Sequence, residues 1–286
     1  MVSAAILGLG TAPFSPEYGW PVETGRTTTV QIIEQAVASG VGYIDTASDY
    51  GDSERILGES AERMLRGNVR ICTKLTAGPL MARLKASLGR LRLDRIDTLL
   101  LHSATRVDLT ARDVIQEMQE IKSRGLARRI GASTYGVEDA RLAIESSWCD
   151  VVQVEYSILN PSVIPALKRV QRGSPEVVAR TVLCRGLLTD RRNSILGDEC
   201  EMKTRLNRLD RLAAEWDMTL PELAIRFALD SPADVVLVGI GRTEELEVAG
   251  RAARRPRLDD RQLAALEEFA CPEDAWADPD RWPARL

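Results

Sequence analysis

The feature that most constrains this chain is the regular alternation of short apolar segments with stretches of helical periodicity. We expect eight strands, at residues 4–9, 41–45, 69–74, 96–102, 127–133, 150–156, 176–181 and 234–240. Apolar residues at helical spacing predict helices between the strands, as in the segment TTVQIIEQAVASGV. Strands that are apolar on both faces and separated by helices are typical of a parallel sheet.

The number of these units indicates how the sheet closes. Further helices are expected near residues 53–66, 79–91, 110–124, 136–147, 161–172, 201–216 and 219–230. Eight strand–helix units in 286 residues favour a closed barrel over an open doubly wound sheet. We therefore predict an α/β fold, a (β/α)8 TIM barrel. It is expected to form one domain over residues 1–286, with a C-terminal helix and a tail at 270–286 over the rim.

Polar side chains stand where successive predicted strands end. They are Asp45, Lys74, His102 and Ser133, at intervals of 29, 28 and 31 residues. In a barrel of parallel strands these positions share the carboxyl-terminal rim, where active sites lie. His102, the only histidine of the chain, is therefore expected in a site. A histidine packed in the core and a structural Asp45–Lys74 ion pair are the alternatives.

Composition excludes several classes of function. The formal net charge of -4 provides no general basic field for nucleic acid or a membrane surface. One histidine and five scattered cysteines without a C-x-x-C pair argue against a cysteine/histidine zinc site and a disulfide framework. We therefore expect no metal, with a carboxylate-bound metal as the alternative, and a reducing, cytoplasmic location. The apolar run at the N-terminus is too short to span a bilayer.

Two glycine pairs invite comparison with dinucleotide-binding loops. In GLGTAP, at 8–13, Pro13 stands where a Rossmann fingerprint has its third glycine. A second pair opens GIGRTEE, at 239–245, but a bare G-x-G is weak evidence for that fold. This second pair precedes a predicted helix, and helix N-termini bind phosphate. We therefore expect a cofactor phosphate there rather than at residues 8–13.

The segment GYIDTASDYGDSERILGES, at 42–60, resembles the signature of aldo-keto reductases, in which a tyrosine follows five residues after an aspartate. Asp45 and Tyr50 match this pattern. ICTKL contains the expected lysine, Lys74, and LLLH the expected histidine, His102. The segments GLARRIGAST, VVQVEYSILN, VVARTVLCRGLLT and VVLVGIGRTEELE are similar to later strands of the family, so the resemblance extends over about residues 4–269.

The resemblance implies reduction of a carbonyl, and the residue types suit that chemistry. Hydride addition places negative charge on the carbonyl oxygen, which needs a proton donor and fixed dipoles. Tyr50 would donate the proton in reduction and accept it in oxidation. Lys74 would stabilise the phenolate, and Asp45 would keep Lys74 charged. His102 could donate a hydrogen bond to the same oxygen. A packed loop aromatic is the alternative for Tyr50.

The resemblance also implies a nicotinamide cofactor, NADP(H), with NAD(H) as the alternative. Its expected contacts are Thr11, Ser133, Thr134, Gln153, Arg180, Thr181, Leu183, Gly241, Arg242 and Glu245. Thr134 replaces the usual asparagine, and Arg180 stands where many members stack a tyrosine on the nicotinamide. Arg242 favours NADPH, whereas Glu245 replaces a common arginine and weakens the contact with the adenosine phosphate.

Three tryptophans, Trp20, Trp276 and Trp282, are candidates for the substrate pocket, although an aromatic that pins a loop to the barrel is an equal alternative. The leading interpretation is an NADPH-dependent oxidoreductase acting on an aldehyde, ketone or sugar, as a monomer or small homo-oligomer. A sugar or alcohol dehydrogenase and a non-catalytic cofactor-binding accessory protein of the same fold are the alternatives.

Overall fold

A computed structural model describes residues 5–15, 26–163, 175–196 and 201–271 of this chain. Its eight strands are parallel and close into a barrel in sequence order, β1 to β8, which confirms the predicted (β/α)8 TIM barrel. The strands are β1 (Ile6–Gly10), β2 (Tyr43–Asp45), β3 (Arg70–Leu75), β4 (Ile96–Leu101), β5 (Ala127–Ser133), β6 (Val151–Glu155), β7 (Glu176–Arg180) and β8 (Val235–Gly239).

Helices surround the barrel on the outside. In the described residues, the α-helices are Arg26–Ala38, Ser53–Glu59, Ala61–Arg66, Leu80–Leu91, Arg106–Thr110, Arg112–Ser123, Val137–Glu145, Arg192–Ile195, Glu201–Glu215, Leu220–Leu229, Thr243–Arg254 and Asp260–Glu267. Two short 3-10 helices cover Ala12–Phe14 and Cys184–Gly186. None of the helices in this part of the chain is long and apolar enough to cross a membrane.

Two helices differ from the sequence-based expectation. The helix expected at 53–66 is interrupted at Ser60, which caps the second of two shorter helices. The helix expected at 110–124 begins at Arg112, because Ala111 has an extended backbone that separates it from Arg106–Thr110. The earlier helix starts with a capping box between Thr105 and Asp108. The helix expected at 161–172 falls largely outside the described residues.

The core forms two layers. Inside the barrel, side chains from six of the strands fill the centre: Tyr43, Cys72, Leu100, Val151, Val178, Val235 and Leu237. A larger cluster lies between the strands and the helices, and the last described helix, Asp260–Glu267, adds the buried Leu266 to it. Because the interior is packed, any cavity able to take a ligand must open beyond the strand ends.

Strand register aligns the ends of neighbouring strands. Gly10 pairs with Asp45 between β1 and β2, and Ser133 pairs with Gln153 between β5 and β6. Parallel pairing places all carboxyl ends at one rim of the barrel. The polar residues at those ends therefore share that rim, and side chains two residues apart on one strand face the same way.

Candidate active site

Asp45 and Lys74 form an ion pair at the carboxyl-terminal rim. Lys74 Nζ lies 2.6 Å from Asp45 Oδ2 and donates a hydrogen bond to the carbonyl oxygen of Thr46 at 2.7 Å. The two side chains are only 1% and 6% exposed. Register explains the meeting, because Asp45 pairs with Cys72 and Lys74 lies two residues further along β3. The ammonium is thus held by backbone geometry.

Tyr50 and His102 lie against this ion pair. Tyr50 belongs to the connection between β2 and the helix Ser53–Glu59, and its ring centroid lies 4.7 Å from Lys74 Nζ. The His102 ring lies 5.7 Å from the Tyr50 ring, edge to face, at an interplanar angle of 77°. The structure therefore brings together all four residues that the sequence singles out for proton transfer.

The second oxygen of Asp45 starts a chain of hydrogen bonds across the rim. Gln153 Nε2 donates to Asp45 Oδ1 at 2.8 Å, and Ser133 Oγ donates to Gln153 Oε1 at 3.1 Å. Arg180 Nε then donates to Ser133 Oγ at 3.4 Å. Both oxygens of the buried carboxylate are therefore satisfied, and its orientation is coupled to β5, β6 and β7.

His102 is neutral in this setting. Burial is the main cause that lowers its pKa to about 4, and the nearby positive charge of Lys74 acts in the same direction. Asp49, whose Oδ2 lies 3.2 Å from His102 Nδ1, opposes the shift without reversing it. At neutral pH the imidazole therefore carries one proton and no charge.

A cavity of about 540 Å³ opens at this rim. Tyr50 and His102 line it together with Arg180 and Arg242. The Arg180 guanidinium lies 4.0 Å from the centroid of the Tyr135 ring and donates to the carbonyl oxygen of Thr134 at 2.8 Å. The planar Arg180 guanidinium, fixed by the Tyr135 ring and by the Thr134 carbonyl oxygen, is therefore part of the cavity wall.

Strained backbone accompanies the cavity. Thr181, Cys184 and Arg185 have φ values of 62°, 45° and 48°, in the left-handed region that non-glycine residues rarely adopt. Ser103, directly after His102, has a φ of 52°. Such conformations cost about 1–3 kcal/mol each and cluster at functional sites. Their position after the ends of β4 and β7 supports a site at this rim.

A cluster of polar groups marks the start of the helix Thr243–Arg254, and we call it the Glu245 cluster. Glu245 Oε2 accepts hydrogen bonds from the backbone N–H of Gly241 at 2.7 Å and of Arg242 at 3.2 Å. Its Oε1 pairs with Arg191 Nη2 at 2.6 Å and with Arg242 Nε at 3.2 Å. The carboxylate thus occupies the amides at a helix N-terminus, where anions bind.

Known proteins resemble this chain along most of its length. The family model described as "Aldo/keto reductase family" matches residues 6–270. This chain belongs to the aldo/keto reductase family. A relative, the NADH-specific methylglyoxal reductase of Escherichia coli (strain K12), is 25% identical over 312 residues, covering 94% of this chain and 95% of the relative.

Solved structures share the fold of this family member. The holo form of an aldo-keto reductase from Bacillus halodurans superposes with a TM-score of 0.78 and 22% identity, over 94% of this chain and 93% of that one. An aldo-keto reductase from Klebsiella pneumoniae in complex with NADPH gives a TM-score of 0.72 and 21% identity, over 94% and 95% of the two chains.

The aldo/keto reductase family implies a nicotinamide dinucleotide, and the residues fit one unevenly. Arg180 offers a planar surface suited to stacking on a ring. Thr134 Oγ1, next to Ser133 at the end of β5, is buried without a hydrogen-bond partner among the described residues, as a group that awaits a ligand would be. The amides of Gly241 and Arg242, by contrast, are already used by Glu245.

The remaining predicted cofactor residues of this family member fall into two groups. Arg180, Thr181, Leu183, Arg242 and Glu245 line the cavity. Thr11, Ser133, Thr134 and Gln153 are buried at the strand ends, and Thr11 Oγ1 donates to the carbonyl oxygen of Asp45 at 2.9 Å. The substrate candidates Trp20, Trp276 and Trp282 lie outside the described residues.

Three residues of the site are not singled out by the sequence patterns. Asp49 contacts His102, Tyr135 stacks under Arg180, and Arg191 pairs with Glu245. Asp49 carries a usable signal, because it is a carboxylate next to Tyr50 in a strand-end loop. Tyr135 and Arg191 carry none, since each lies in a loop whose conformation brings it to a partner on a regular element, Arg180 on β7 or Glu245 on a helix.

Proposed function

We propose that this chain catalyses hydride transfer between a nicotinamide cofactor and a carbonyl or alcohol substrate, with Tyr50 exchanging the proton. The observation that carries the proposal is the buried Asp45–Lys74 ion pair directly against the Tyr50 ring, in the wall of a cavity. A purely structural ion pair would not need a strand-end tyrosine and the single histidine of the chain beside it.

Each residue of this group has a definable task. The reduced cofactor supplies the hydride when it is bound. Tyr50 donates its phenol proton to the substrate oxygen, and the Lys74 ammonium stabilises the phenolate that remains. Asp45 compensates the charge of Lys74 and orients it. The group works equally in reverse, since a phenolate next to an ammonium can accept a proton from an alcohol.

We further propose NADPH as the preferred cofactor, by a narrow margin. Arg242, which lines the cavity and is 45% exposed, is a cation available to the 2′-phosphate. Glu245 reduces its effect, because this carboxylate pairs with the same guanidinium and would repel a phosphate. The NADH specificity of the Escherichia coli relative supports activity with NADH as well.

The substrates we propose are small aldehydes, ketones or sugars, handled in the cytoplasm. The relative named for methylglyoxal supports a small carbonyl compound. The thiols of Cys72, Cys149 and Cys184 are buried and free, which suits a reducing compartment.

Turnover measurements test the proposal. Purified protein is titrated with NADPH and NADH by fluorescence and then mixed with aldehydes, ketones and sugars while the absorbance of the reduced nicotinamide is followed. We expect binding of both cofactors and reduction of at least one carbonyl class. Tight cofactor binding without turnover in either direction would instead support an accessory, non-catalytic protein.

A further inference from the structure

The contact between His102 and Asp49 determines which imidazole nitrogen carries the proton. Asp49 Oδ2 lies 3.2 Å from His102 Nδ1, and Asp49 Oδ1 accepts a hydrogen bond from Ser48 Oγ at 2.9 Å. A carboxylate accepts hydrogen bonds and does not donate them. The hydrogen between the two residues must therefore belong to His102 Nδ1.

The charge of His102 settles the state of its other nitrogen. Three charged groups face the imidazole: Lys74 from β3, Asp45 from β2, and Asp49 from the following loop. Burial and Lys74 keep the ring neutral at pH 7, because its pKa is lowered to about 4. A neutral imidazole has a single N–H, so a proton on Nδ1 leaves Nε2 as a lone-pair acceptor.

We propose that Asp49 is a positioning residue that holds His102 in the Nδ1-protonated tautomer, so that Nε2 accepts a hydrogen bond from a hydroxyl beside the reacting carbonyl of the substrate. The tautomer follows from the Asp49 contact together with the neutral charge of the ring, whereas the substrate preference rests on the proposed function. The proposal replaces the sequence-based expectation that His102 donates to the carbonyl oxygen.

The acceptor state of Nε2 has a consequence for substrate choice. A carbonyl oxygen has only lone pairs, so of Tyr50 and His102 only Tyr50 can donate to it. His102 lines the same cavity as Tyr50 and meets its ring edge to face, so the imidazole borders the space in which the proposed substrate would bind. A hydroxyl on the neighbouring carbon satisfies Nε2, whereas a methyl group in the same place leaves it unpaired. The preferred class is therefore hydroxy carbonyl compounds.

The single histidine makes the tautomer directly measurable. In a protein labelled with ¹⁵N-histidine, the two ring nitrogens of His102 give the only imidazole signals, and a protonated nitrogen resonates far from an unprotonated one. We expect Nδ1 to be protonated in the wild type at pH 7. Asp49→Asn can accept or donate, and Asp49→Leu offers no partner, so in both variants the Nε2-protonated form gains population.

A substrate pair of equal shape tests the preference. Glycolaldehyde and propanal differ by a hydroxyl in place of a methyl group. We expect wild-type kcat/KM to favour glycolaldehyde by about tenfold, the size of one hydrogen bond, and both Asp49 variants to lose most of this ratio. Asp52→Asn is the matched control, because Asp52 lies in the same loop and pairs with Arg55 instead of His102. It should change neither the spectrum nor the ratio.

The outcomes separate the parts of the inference. A wild-type spectrum with Nε2 protonated, or one that stays unchanged in both Asp49 variants, overturns the role of Asp49. A changed tautomer with an unchanged aldehyde ratio overturns the substrate preference alone. If neither aldehyde is reduced but another carbonyl or alcohol is turned over, the substrate preference falls and the proposed function stands. If no carbonyl or alcohol of the wider screen is turned over, the proposed function falls as well, while the spectrum still decides the tautomer.

Discussion

Two parts of the cavity wall are built in different ways. The Asp45–Lys74 pair is held by strand register and is at most 6% exposed. The Glu245 cluster is held by the start of a helix, and the side chains of Arg242 and Glu245 are 45% and 23% exposed. Charges act strongly where water is excluded and weakly where it is present. We therefore expect substitutions at the first part to abolish the reaction and substitutions at the second to adjust cofactor affinity.

The buried pair and the Glu245 cluster should also differ in how well they tolerate the loss of one charged partner. Removal of one partner of a buried ion pair leaves an uncompensated charge in the interior, which costs far more than the loss of a surface pair. In the Glu245 cluster, which is partly exposed, water can replace a lost contact. Four measurements test this difference. The first three concern the strand-end group, which consists of Asp45, Tyr50, Lys74 and His102, and the fourth concerns the Glu245 cluster.

The largest effect is expected for Tyr50→Phe. This substitution removes the proton donor and keeps the ring against Lys74, so loss of general acid catalysis should slow hydride transfer by about 10²–10⁴-fold. Cofactor affinity and stability should change little. Single-turnover kinetics and NADPH titration measure the two properties separately. Tyr43→Phe is the control, since it removes the same atom from a tyrosine inside the barrel and outside the cavity wall.

A near wild-type rate for Tyr50→Phe would end the assignment of this tyrosine. Loss of cofactor binding in step with activity would instead indicate a structural residue.

The second effect is expected for Asp45→Asn. The neutral amide leaves the buried Lys74 ammonium without a counter-charge, which should lower the free energy of unfolding by about 3–5 kcal/mol. Glu34→Gln provides the comparison, because Glu34 pairs with Arg63 at 2.8 Å but at an exposed position. It should cost about 0–1 kcal/mol. Urea unfolding at pH 7 measures both, and equal values would show that burial does not distinguish these pairs.

Sequence reasoning succeeds where the backbone alone places a side chain. Each interval between Asp45, Lys74 and His102 corresponds to one strand–helix unit. Parallel pairing of the strands then aligns the three residues at one rim. Reasoning of this kind cannot place Tyr135 or Arg191, because their partners are reached only after two loops have adopted specific conformations. The break of the expected helix 53–66 at Ser60 is missed for a similar reason, since apolar periodicity continues across it.

The functional expectations likewise depend on whether a residue is placed by strand register or by the conformation of a turn or helix start. The resemblance to aldo-keto reductases assigns roles to the strand-end residues, and the structure brings these side chains together at one rim. It assigns Glu245 to the cofactor because of its register, yet the direction of its carboxylate toward the amides of Gly241 and Arg242 is a property of the folded helix start. Likewise, the contact of His102 with Asp49 depends on the turn that carries Asp49.

The third effect concerns pH. The pKa of His102 is about 4 in the folded protein and about 6.5 in an unfolded chain. Between these values the unfolded chain binds a proton that the folded protein does not, so this residue lowers stability as the pH falls from 6.5 to 4, by about 3 kcal/mol in total. Above pH 7 it contributes no slope. His102→Gln should remove this part of the pH dependence.

Urea unfolding of the wild type and His102→Gln across this pH range isolates the effect, because both proteins carry the same carboxylates. Parallel curves for the two proteins would contradict the lowered pKa.

The smallest effect is expected at the Glu245 cluster, for Glu245→Gln. The amide keeps the size of the side chain and can still accept from the Gly241 N–H, so the helix start should persist. It no longer repels the 2′-phosphate of NADPH, and the Arg242 and Arg191 guanidinium groups lose a competing anion. Removal of about 1 kcal/mol of repulsion corresponds to about fivefold tighter NADPH binding, with NADH binding unchanged because it lacks that phosphate.

Fluorescence titration with both cofactors measures the ratio of the two affinities. Glu247→Gln is the control, because Glu247 is exposed on the same helix and lies outside the cavity wall. Equal gains for NADH and NADPH would show that Glu245 acts on the shape of the site and not on the phosphate, and a tenfold or larger loss of activity would place it with the strand-end group instead.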